Sequence, residues 1–140
     1  MTINEIQDEI IDEFSLFDDW MDKYQYLIDL SKNLPLIDEK YKTEEYLIKG
    51  CQSQVWLFAE HTDGKIFFTA DSDAIITKGI VSLLIRVMSG QTPQAILDCD
   101  LHFIEAIGLK ENLSPTRSNG LLSMIKQMKI YALAFKSQEK

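Results

Sequence analysis

VWLFAEHTDGKIFFT, residues 55–69, contains two short apolar runs separated by an Asp-Gly pair. The runs at 55–58 and 66–69 are rich in β-branched and aromatic side chains, which favour strands. Asp63 and Gly64 are the residue types that a tight two-residue hairpin turn requires. The stretch therefore predicts an antiparallel β-hairpin near the middle of the chain.

Helical patterns precede this hairpin. Apolar residues at helical spacing predict a first helix, through Ile3, Ile6, Ile10 and Phe14. A second helix follows, with Ser15 or Asp18 as its expected cap. Pro35 ends it, because a proline disfavours the helical conformation at the residue before it. A short extended segment, EYLI at 45–48, is predicted next.

Helical patterns also follow the hairpin. Asp71, Ser72 and Asp73 offer cap oxygens for a helix that ends at Ser89-Gly90. Its apolar stripe consists of Ile76, Ile80, Leu83, Leu84 and Val87. Short helices are predicted at 92–99 and 101–107, and a final helix begins at Ser114-Pro115. The order of helices, antiparallel sheet and helices predicts an α+β fold, in a single domain spanning residues 1–140.

Composition narrows the functional class. The formal net charge is −8, which opposes binding to nucleic acid or to an anionic membrane surface. No apolar run approaches the roughly 20 residues that a membrane helix needs. The acidic first residues do not have the pattern of a signal peptide. We therefore expect a soluble cytoplasmic protein whose two cysteines are reduced.

Cys51 is the first candidate for chemistry. It lies in KGCQSQVW, residues 49–56, at the joint between two extended segments. Gly50 can adopt backbone angles that other residues avoid, and the cation of Lys49 would favour the thiolate. The alternative is a small buried hydrophobic residue, which is the commonest role of a free cysteine. Sequence spacing alone leaves both interpretations open.

The other potential reactive residues are weaker candidates. Cys99 is flanked by Asp98 and Asp100, which raise the pKa of a thiol, and is expected to be inert packing. His61 and His102 are the only histidines, and each is expected to be a surface or capping residue. A reaction without a general base, such as attack of a thiolate on sulfur, fits these residues better than hydrolysis.

KGCQSQVW also resembles the SufE family, the sulfur acceptors of cysteine desulfurases in iron–sulfur cluster assembly. Three further stretches are similar to family motifs in order and spacing: WMDKYQYLIDLSKNL at 20–34, DSDAIITKG at 71–79 and LSPTRSNG at 113–120. The resemblance implies a SufE/IscU-like α+β fold with helices on a three-stranded antiparallel sheet. It also implies a carrier and activator of a desulfurase rather than an enzyme.

By the same resemblance, Cys51 receives sulfane sulfur as a persulfide. The implied donor is a SufS-type cysteine desulfurase, and the implied receiver is the SufBCD scaffold complex. Pyridoxal phosphate would belong to the desulfurase, so this chain needs no cofactor and no metal. The resemblance does not separate SufE from its paralogue CsdE. It also leaves the oligomeric state open, with a weak homodimer as one option.

The loop around Cys51 is expected to rest against apolar side chains and to swing out when the partner docks. Gly50 is the predicted hinge, and its replacement by valine is expected to slow transfer with little change in melting temperature. Gln52, Ser53 and Gln54 are expected to brace the loop by hydrogen bonds.

Arg117 and Asp73 complete the candidate site. Arg117 is expected in the first turn of the last helix, where a cation opposes the helix dipole and therefore suggests a use elsewhere. It could neutralise the persulfide anion or meet an acidic group of the desulfurase, or it could be an ordinary surface arginine. Asp73 is most simply the cap of its helix; the alternative is a role in steering the Cys51 loop or docking the desulfurase.

Three rival functions remain at this point. An IscU-type cluster scaffold would need three or four converging thiolate or imidazole ligands, and two separated cysteines make it a poor candidate. A cysteine hydrolase would need His61 or His102 beside Cys51. A binding module that only regulates a desulfurase would not need the thiol of Cys51.

Overall fold

The computed structural model describes residues 1–138, so the last two residues of the predicted 1–140 domain lie outside the described residues. Seven α-helices, two strands and three single turns of 3-10 helix lie in that range. Their order is α1 (Ile3–Phe14), α2 (Trp20–Leu30), β1 (Val55–Thr62), β2 (Lys65–Ser72), α3 (Ile75–Met88), α4 (Pro93–Asp98), α5 (Phe103–Ala106), α6 (Leu109–Asn112) and α7 (Pro115–Gln138). The predicted α+β class is confirmed, because an antiparallel hairpin is enclosed by helices.

The hairpin forms where the sequence predicts it. β1 and β2 pair antiparallel in continuous register from Val55 opposite Ser72 to Thr62 opposite Lys65. Asp63 and Gly64 make the turn with φ angles of 53° and 76°. Two consecutive positive φ angles define the turn whose twist matches that of the flanking strands, and glycine adopts such angles at little cost.

The predicted third strand is wrong for residues 1–138. The sheet has two strands, and the EYLI segment contributes only an isolated bridge between Leu47 and Trp56. Residues Glu44–Tyr46 form a turn of 3-10 helix instead of extending the strand. Gly50, with a φ of 91°, then turns the chain away from the edge of the sheet. Too few residues remain between these two turns to build a ladder.

α3 is the central helix of the fold. It packs against α2, β2, α1 and α7. Most of its side chains are buried, including Ile76, Leu84 and Met88; Ile75, Lys78 and Arg86 are the exceptions. A helix that is apolar around most of its circumference lies inside the protein. β2 leads directly into α3 through Asp73, which is exposed, and Ala74, which is partly buried.

The helix ends correct two predictions. The second helix is capped by Asp19, whose carboxylate accepts a hydrogen bond from the Asp22 amide at 3.0 Å, and not by Ser15 or Asp18. The segment predicted as one helix at 101–107 forms the shorter α5, and α6 follows it unpredicted. Gly108 separates the two with a φ of 77°, so one continuous helix cannot form there.

Two polar contacts tie the first helices to the rest of the fold. Gln7 is fully buried; its side chain donates to the Asp100 carbonyl at 2.9 Å and accepts from the Phe103 amide at 3.1 Å. Arg86 of α3 donates two hydrogen bonds to the carboxylate of Glu13, at 2.9 and 2.5 Å. These contacts join α1 to α3 and to α5, and α3 also lines the cavity next to Cys51.

Candidate functional site

Cys51 lies in the loop between the Leu47 bridge and β1, against the first turns of α7. Its side chain is partly buried, and its thiol points at the Gly120 carbonyl, with Sγ 3.6 Å from the oxygen. The sulfur therefore rests against α7 through a weak hydrogen bond. This agrees with the predicted resting position of the loop.

A cavity of about 310 Å³ opens beside the sulfur. Its wall combines three parts of the chain: the loop with Cys51, Gln52 and Ser53, helix α3 with Thr77 and Ile80, and helix α7 with Thr116, Arg117, Gly120 and Met124. Several of the predicted site residues thus meet in one place, although the loop and α7 are far apart in sequence. The lining is mixed, with apolar side chains from α3 and α7 next to hydroxyls and one cation.

The resting thiol of Cys51 is protonated at neutral pH. Burial raises the pKa of the Cys51 thiol above its ordinary value. The expectation that Lys49 favours the thiolate is wrong, because Lys49 is exposed and lines a different groove with Glu44 and Glu45.

Gly50 has a structural role that differs from a simple hinge. Its φ of 91° is one that side chains rarely tolerate, and a Cβ built on it would lie 2.5 Å from Oγ of Ser123. Both the backbone angle and the close approach to α7 therefore require glycine. That valine at Gly50 slows transfer with little change in melting temperature stays a prediction, although the positive φ means that the substitution would strain the loop.

Asp73 tethers the loop instead of capping a helix. The first residue before α3 is Ala74, and no side chain caps the helix within the described part of the chain. The Asp73 carboxylate accepts a hydrogen bond from the Gln54 amide at 3.0 Å, and the Asp73 amide donates to the Gln54 carbonyl at 3.3 Å. Ser72, the last residue of β2, pairs with Val55, the first residue of β1. Asp73 therefore lies beside Gln54 at the end of the Cys51 loop, and its carboxylate bonds to that residue and not to an amide of α3.

Hydrogen bonding in the loop differs from the expectation in one respect. Gln52 and Ser53 line the cavity, but the side chains of Gln52, Ser53 and Gln54 make no hydrogen bond to any residue in the range 1–138. The loop is braced instead through the backbone of Gln54, by Asp73. The side chains of Gln52 and Ser53 therefore contribute polar groups to the wall of the cavity.

Arg117 is a cation at the rim of the same cavity. Its backbone amide donates to Oγ of Ser114 at 3.3 Å, which confirms Ser114 as the cap of the last helix. Its guanidinium is exposed and has no ion pair or hydrogen bond with any described residue. Near the N-terminus of α7 the helix dipole is also positive, so this end of the cavity favours an anion.

Neither histidine lines the cavity. His61 lies in β1, with its ring centroid 5.2 Å from that of Phe135. Phe135 and Gly120 are separated by 15 helical residues of α7, a rise of about 22 Å. His102 is exposed at the start of α5. The arrangement required for a cysteine hydrolase is therefore missing at Cys51 in the described residues.

Cys99 occupies a different environment. It follows α4, and its thiol donates to the Ile96 carbonyl at 3.1 Å. Burial is the main cause that raises the pKa of the Cys99 thiol; Asp98 and Asp100 add to the effect, while Lys129 opposes it. Within residues 1–138, no three histidine, cysteine, aspartate or glutamate side chains converge as a metal site.

Five residues that line the cavity were not predicted as site residues: Thr77, Ile80, Thr116, Gly120 and Met124. A signal existed for one of them. Gly120 ends the LSPTRSNG motif and lies inside a predicted helix, where glycine is unfavourable without a local reason.

None of the helices in the described range is long and apolar enough to cross a membrane.

Comparison with known proteins identifies the family. The sequence model described as "SufE: Fe-S metabolism associated domain" matches residues 8–132. A SufE-like protein of Rhizobium meliloti (strain 1021) is 42% identical over 127 residues, covering 87% of this chain and 91% of the relative. A SufE-like protein of Rhizobium etli is 44% identical over 128 residues, covering 87% and 86%.

One relative and one solved structure extend the comparison. SufE-like protein 1 of Arabidopsis thaliana, named as chloroplastic/mitochondrial, is 39% identical over 126 residues, covering 89% of this chain and 34% of the relative. The solution structure of a hypothetical protein from Thermus thermophilus superposes with a TM-score of 0.76 at 20% identity, covering 92% of this chain and 94% of that one. The latter shows the shared fold alone. With a family match over most of its length and relatives above 40% identity, the chain belongs to the SufE family of proteins associated with Fe–S metabolism.

Proposed function

We propose that this protein is a sulfur acceptor and activator for a cysteine desulfurase of the SufS type. It takes sulfane sulfur as a persulfide on Cys51 and passes it to an iron–sulfur assembly scaffold such as SufBCD. The observation that carries the proposal is that Cys51 and Arg117 line the same cavity. The guanidinium of Arg117 has no ion pair or hydrogen bond with another residue in the range 1–138.

The transfer is an exchange at sulfur. The Cys51 thiolate attacks the outer sulfur of the partner's persulfide in its protonated form, and a new S–S bond forms on Cys51. The S–S bond in the partner breaks, and its electron pair leaves on the partner's cysteine as a thiolate. The outer sulfur keeps its proton and its oxidation level, so no oxidant or base is consumed.

Arg117 supports the product of this step. A persulfide loses its proton more readily than a thiol, so the product on Cys51 is an anion at neutral pH. The exposed guanidinium of Arg117 and the positive end of α7 lie at the same cavity and stabilise that charge. The resting thiol, in contrast, is neutral at physiological pH, as ordinary cysteines mostly are, and burial raises the pKa of the Cys51 thiol further.

Resting burial and transfer require two positions of the loop. Against α7, Cys51 is half-shielded from small oxidants and is a poor nucleophile. When the loop leaves α7, the thiol reaches water and regains its ordinary acidity, so docking and activation coincide. Removal of sulfur from the desulfurase by Cys51 would then accelerate the turnover of that enzyme.

The remaining parts of the proposal concern partners and compartment. Pyridoxal phosphate is assigned to the desulfurase, and this chain carries no cofactor of its own. A cytoplasmic location is proposed because a free reactive thiol needs a reducing compartment. The choice between SufE and CsdE, and a weak homodimer, stay predictions.

Intact-mass spectrometry tests the central step. The protein is incubated with a SufS-type desulfurase and cysteine, and we expect an adduct of one sulfur atom on Cys51. The matched variants are Cys51→Ser, which should lose both the adduct and the stimulation of the desulfurase, and Cys99→Ser, which should keep both. Stimulation that survives Cys51→Ser would show a binding module that regulates the desulfurase, and the carrier mechanism would be wrong.

A further inference from the structure

Gly120 is a glycine that folding does not explain. It is buried in the second turn of α7, and its backbone is helical, so no positive φ requires a glycine. In a helix, glycine costs about 1 kcal/mol relative to alanine. The chain tolerates this cost at the helix that faces Cys51.

Packing in the resting structure does not require a glycine at position 120 either, because a methyl group would fit there. A Cβ built on Gly120 would meet Sγ of Cys51 at 3.5 Å and the Cα and Cβ of Cys51 at 3.8 Å, which are ordinary contacts. Gly79 of α3 shows the contrast, because a Cβ there would overlap the backbone carbonyl of Leu27. Gly79 is needed for helix packing, whereas at Gly120 the three nearest neighbours all belong to Cys51.

The space left at Gly120 matters when Cys51 carries an additional atom. We propose that Gly120 forms a notch that holds the outer sulfur of the Cys51 persulfide, and this inference rests on the proposed function. The notch is the part of the cavity between Gly120 and Cys51, and Thr77, Ile80 and Met124 line the same cavity. Gly120 is therefore a specificity-determining residue, required by the persulfide and not by the thiol.

Dimensions support this assignment. The outer sulfur lies about 2 Å beyond Sγ, and Sγ itself points toward α7, 3.6 Å from the Gly120 carbonyl oxygen. A methyl group 3.5 Å from Sγ would occupy part of the space into which the second sulfur extends. The cavity of about 310 Å³ exceeds the 10–15 Å³ or so that a water molecule needs, so one sulfur atom fits beside the thiol.

The chemistry of the notch suits a persulfide. Ile80 and Met124 present apolar, polarisable surface to a sulfur atom, and both help to exclude small thiols that would reduce it. Arg117 lines the same cavity and supplies positive charge for the ionised form. The seated persulfide is thus shielded on one side and neutralised on the other.

A small sulfur donor tests the notch without the desulfurase. In inorganic polysulfide, the Cys51 thiolate attacks one sulfane sulfur, and the remaining chain leaves as a polysulfide anion one sulfur shorter. Intact mass over a range of polysulfide concentrations gives the ratio of persulfide to thiol at Cys51, with Cys51→Ser subtracting modification at Cys99. The variant is Gly120→Ala, and the matched control is Asn119→Ala, at an exposed neighbour outside the cavity.

For Gly120→Ala we expect a persulfide-to-thiol ratio roughly five- to hundredfold below wild type, the range for one methyl group forced into occupied space. Iodoacetamide should alkylate its free thiol within about twofold of the wild-type rate, and its melting temperature should equal or exceed wild type. Asn119→Ala should match wild type in the persulfide ratio.

Two results would overturn the notch. A wild-type persulfide ratio in Gly120→Ala would show that the second sulfur lies elsewhere, and the proposed function would stand. Equal loss of persulfide formation and of thiol alkylation would show that Gly120 serves loop movement instead. If the wild-type protein acquired no sulfur from the desulfurase or from polysulfide, the proposed function would fail and the notch with it.

Discussion

Replacing Asp73 with alanine separates a loop tether from a helix cap. The substitution removes the hydrogen bond from the Gln54 amide to the carboxylate, 3.0 Å long, and leaves the one from the Asp73 amide to the Gln54 carbonyl, 3.3 Å long. We expect the closed position of the Cys51 loop to lose stability while α3 keeps its own, because no described side chain caps that helix.

The size of the effect follows from one partly exposed hydrogen bond. Such a bond contributes about 0.5–1.5 kcal/mol, so its loss raises the open population of the loop about 2- to 13-fold. Loop motions are far faster than alkylation, and the rate of thiol alkylation therefore tracks the open population. Opening also relieves the burial that raises the pKa of the Cys51 thiol, which acts in the same direction.

The assay is site-resolved alkylation by iodoacetamide, read by peptide mass, with Cys99 as an internal reference for global unfolding. Asp73→Ala should accelerate alkylation of Cys51 but not of Cys99. Asp73→Asn keeps an oxygen acceptor and should stay within about twofold of wild type. Wild-type reactivity of Cys51 in Asp73→Ala, together with a lower melting temperature, would refute the tether and restore the helix-cap interpretation.

Three further predictions follow from other contacts. Arg117→Ala should lower sulfur uptake from the desulfurase while urea unfolding changes by no more than about 0.5 kcal/mol, since the guanidinium has no partner in residues 1–138; equal uptake would remove Arg117 from the site. Gly79→Ala should lose about 3 kcal/mol of unfolding free energy, because its Cβ would overlap the Leu27 carbonyl; wild-type stability would contradict the packing of α2 on α3. Hydrogen bonds from Arg86 lower the pKa of Glu13, so this pair stabilises the fold at neutral pH and is lost as the pH falls through the lowered pKa. Glu13→Gln should therefore cost about 1–2 kcal/mol at pH 7 and flatten the decline of melting temperature below about pH 5; a parallel decline in both proteins would exclude this carboxylate as a source of acid sensitivity.

Local chemistry explains the elements that were predictable. The Asp63-Gly64 pair adopts the two positive φ angles of a hairpin turn. Ser114 caps the last helix by accepting a hydrogen bond from the amide of Arg117, three residues later. Such signals act within a few residues, so they survive without knowledge of the fold. The motif around Cys51 is also local in sequence, and it singled out Cys51 through its resemblance to a family.

Contacts between distant segments explain the elements that were not. The segment before Cys51 was predicted to be extended, but residues Glu44–Tyr46 form a 3-10 turn. Whether this segment forms a strand depends on how it lies against the hairpin. Lys49 is close to Cys51 in sequence but lines another groove. Asp73 caps no described helix because Gln54, brought beside it by the pairing of β1 with β2, is the nearer donor.

The sequence alone determined the fold class, the hairpin with its turn and the positions of most helices. It also placed Cys51 in a family motif. Only the tertiary structure decides that burial raises the pKa of the Cys51 thiol, that Arg117 shares its cavity and that the space at Gly120 faces the sulfur. Backbone propensity and capping depend on neighbours within one turn. The acidity and accessibility of a thiol depend on desolvation by α3 and α7, helices that meet Cys51 only after the chain has folded.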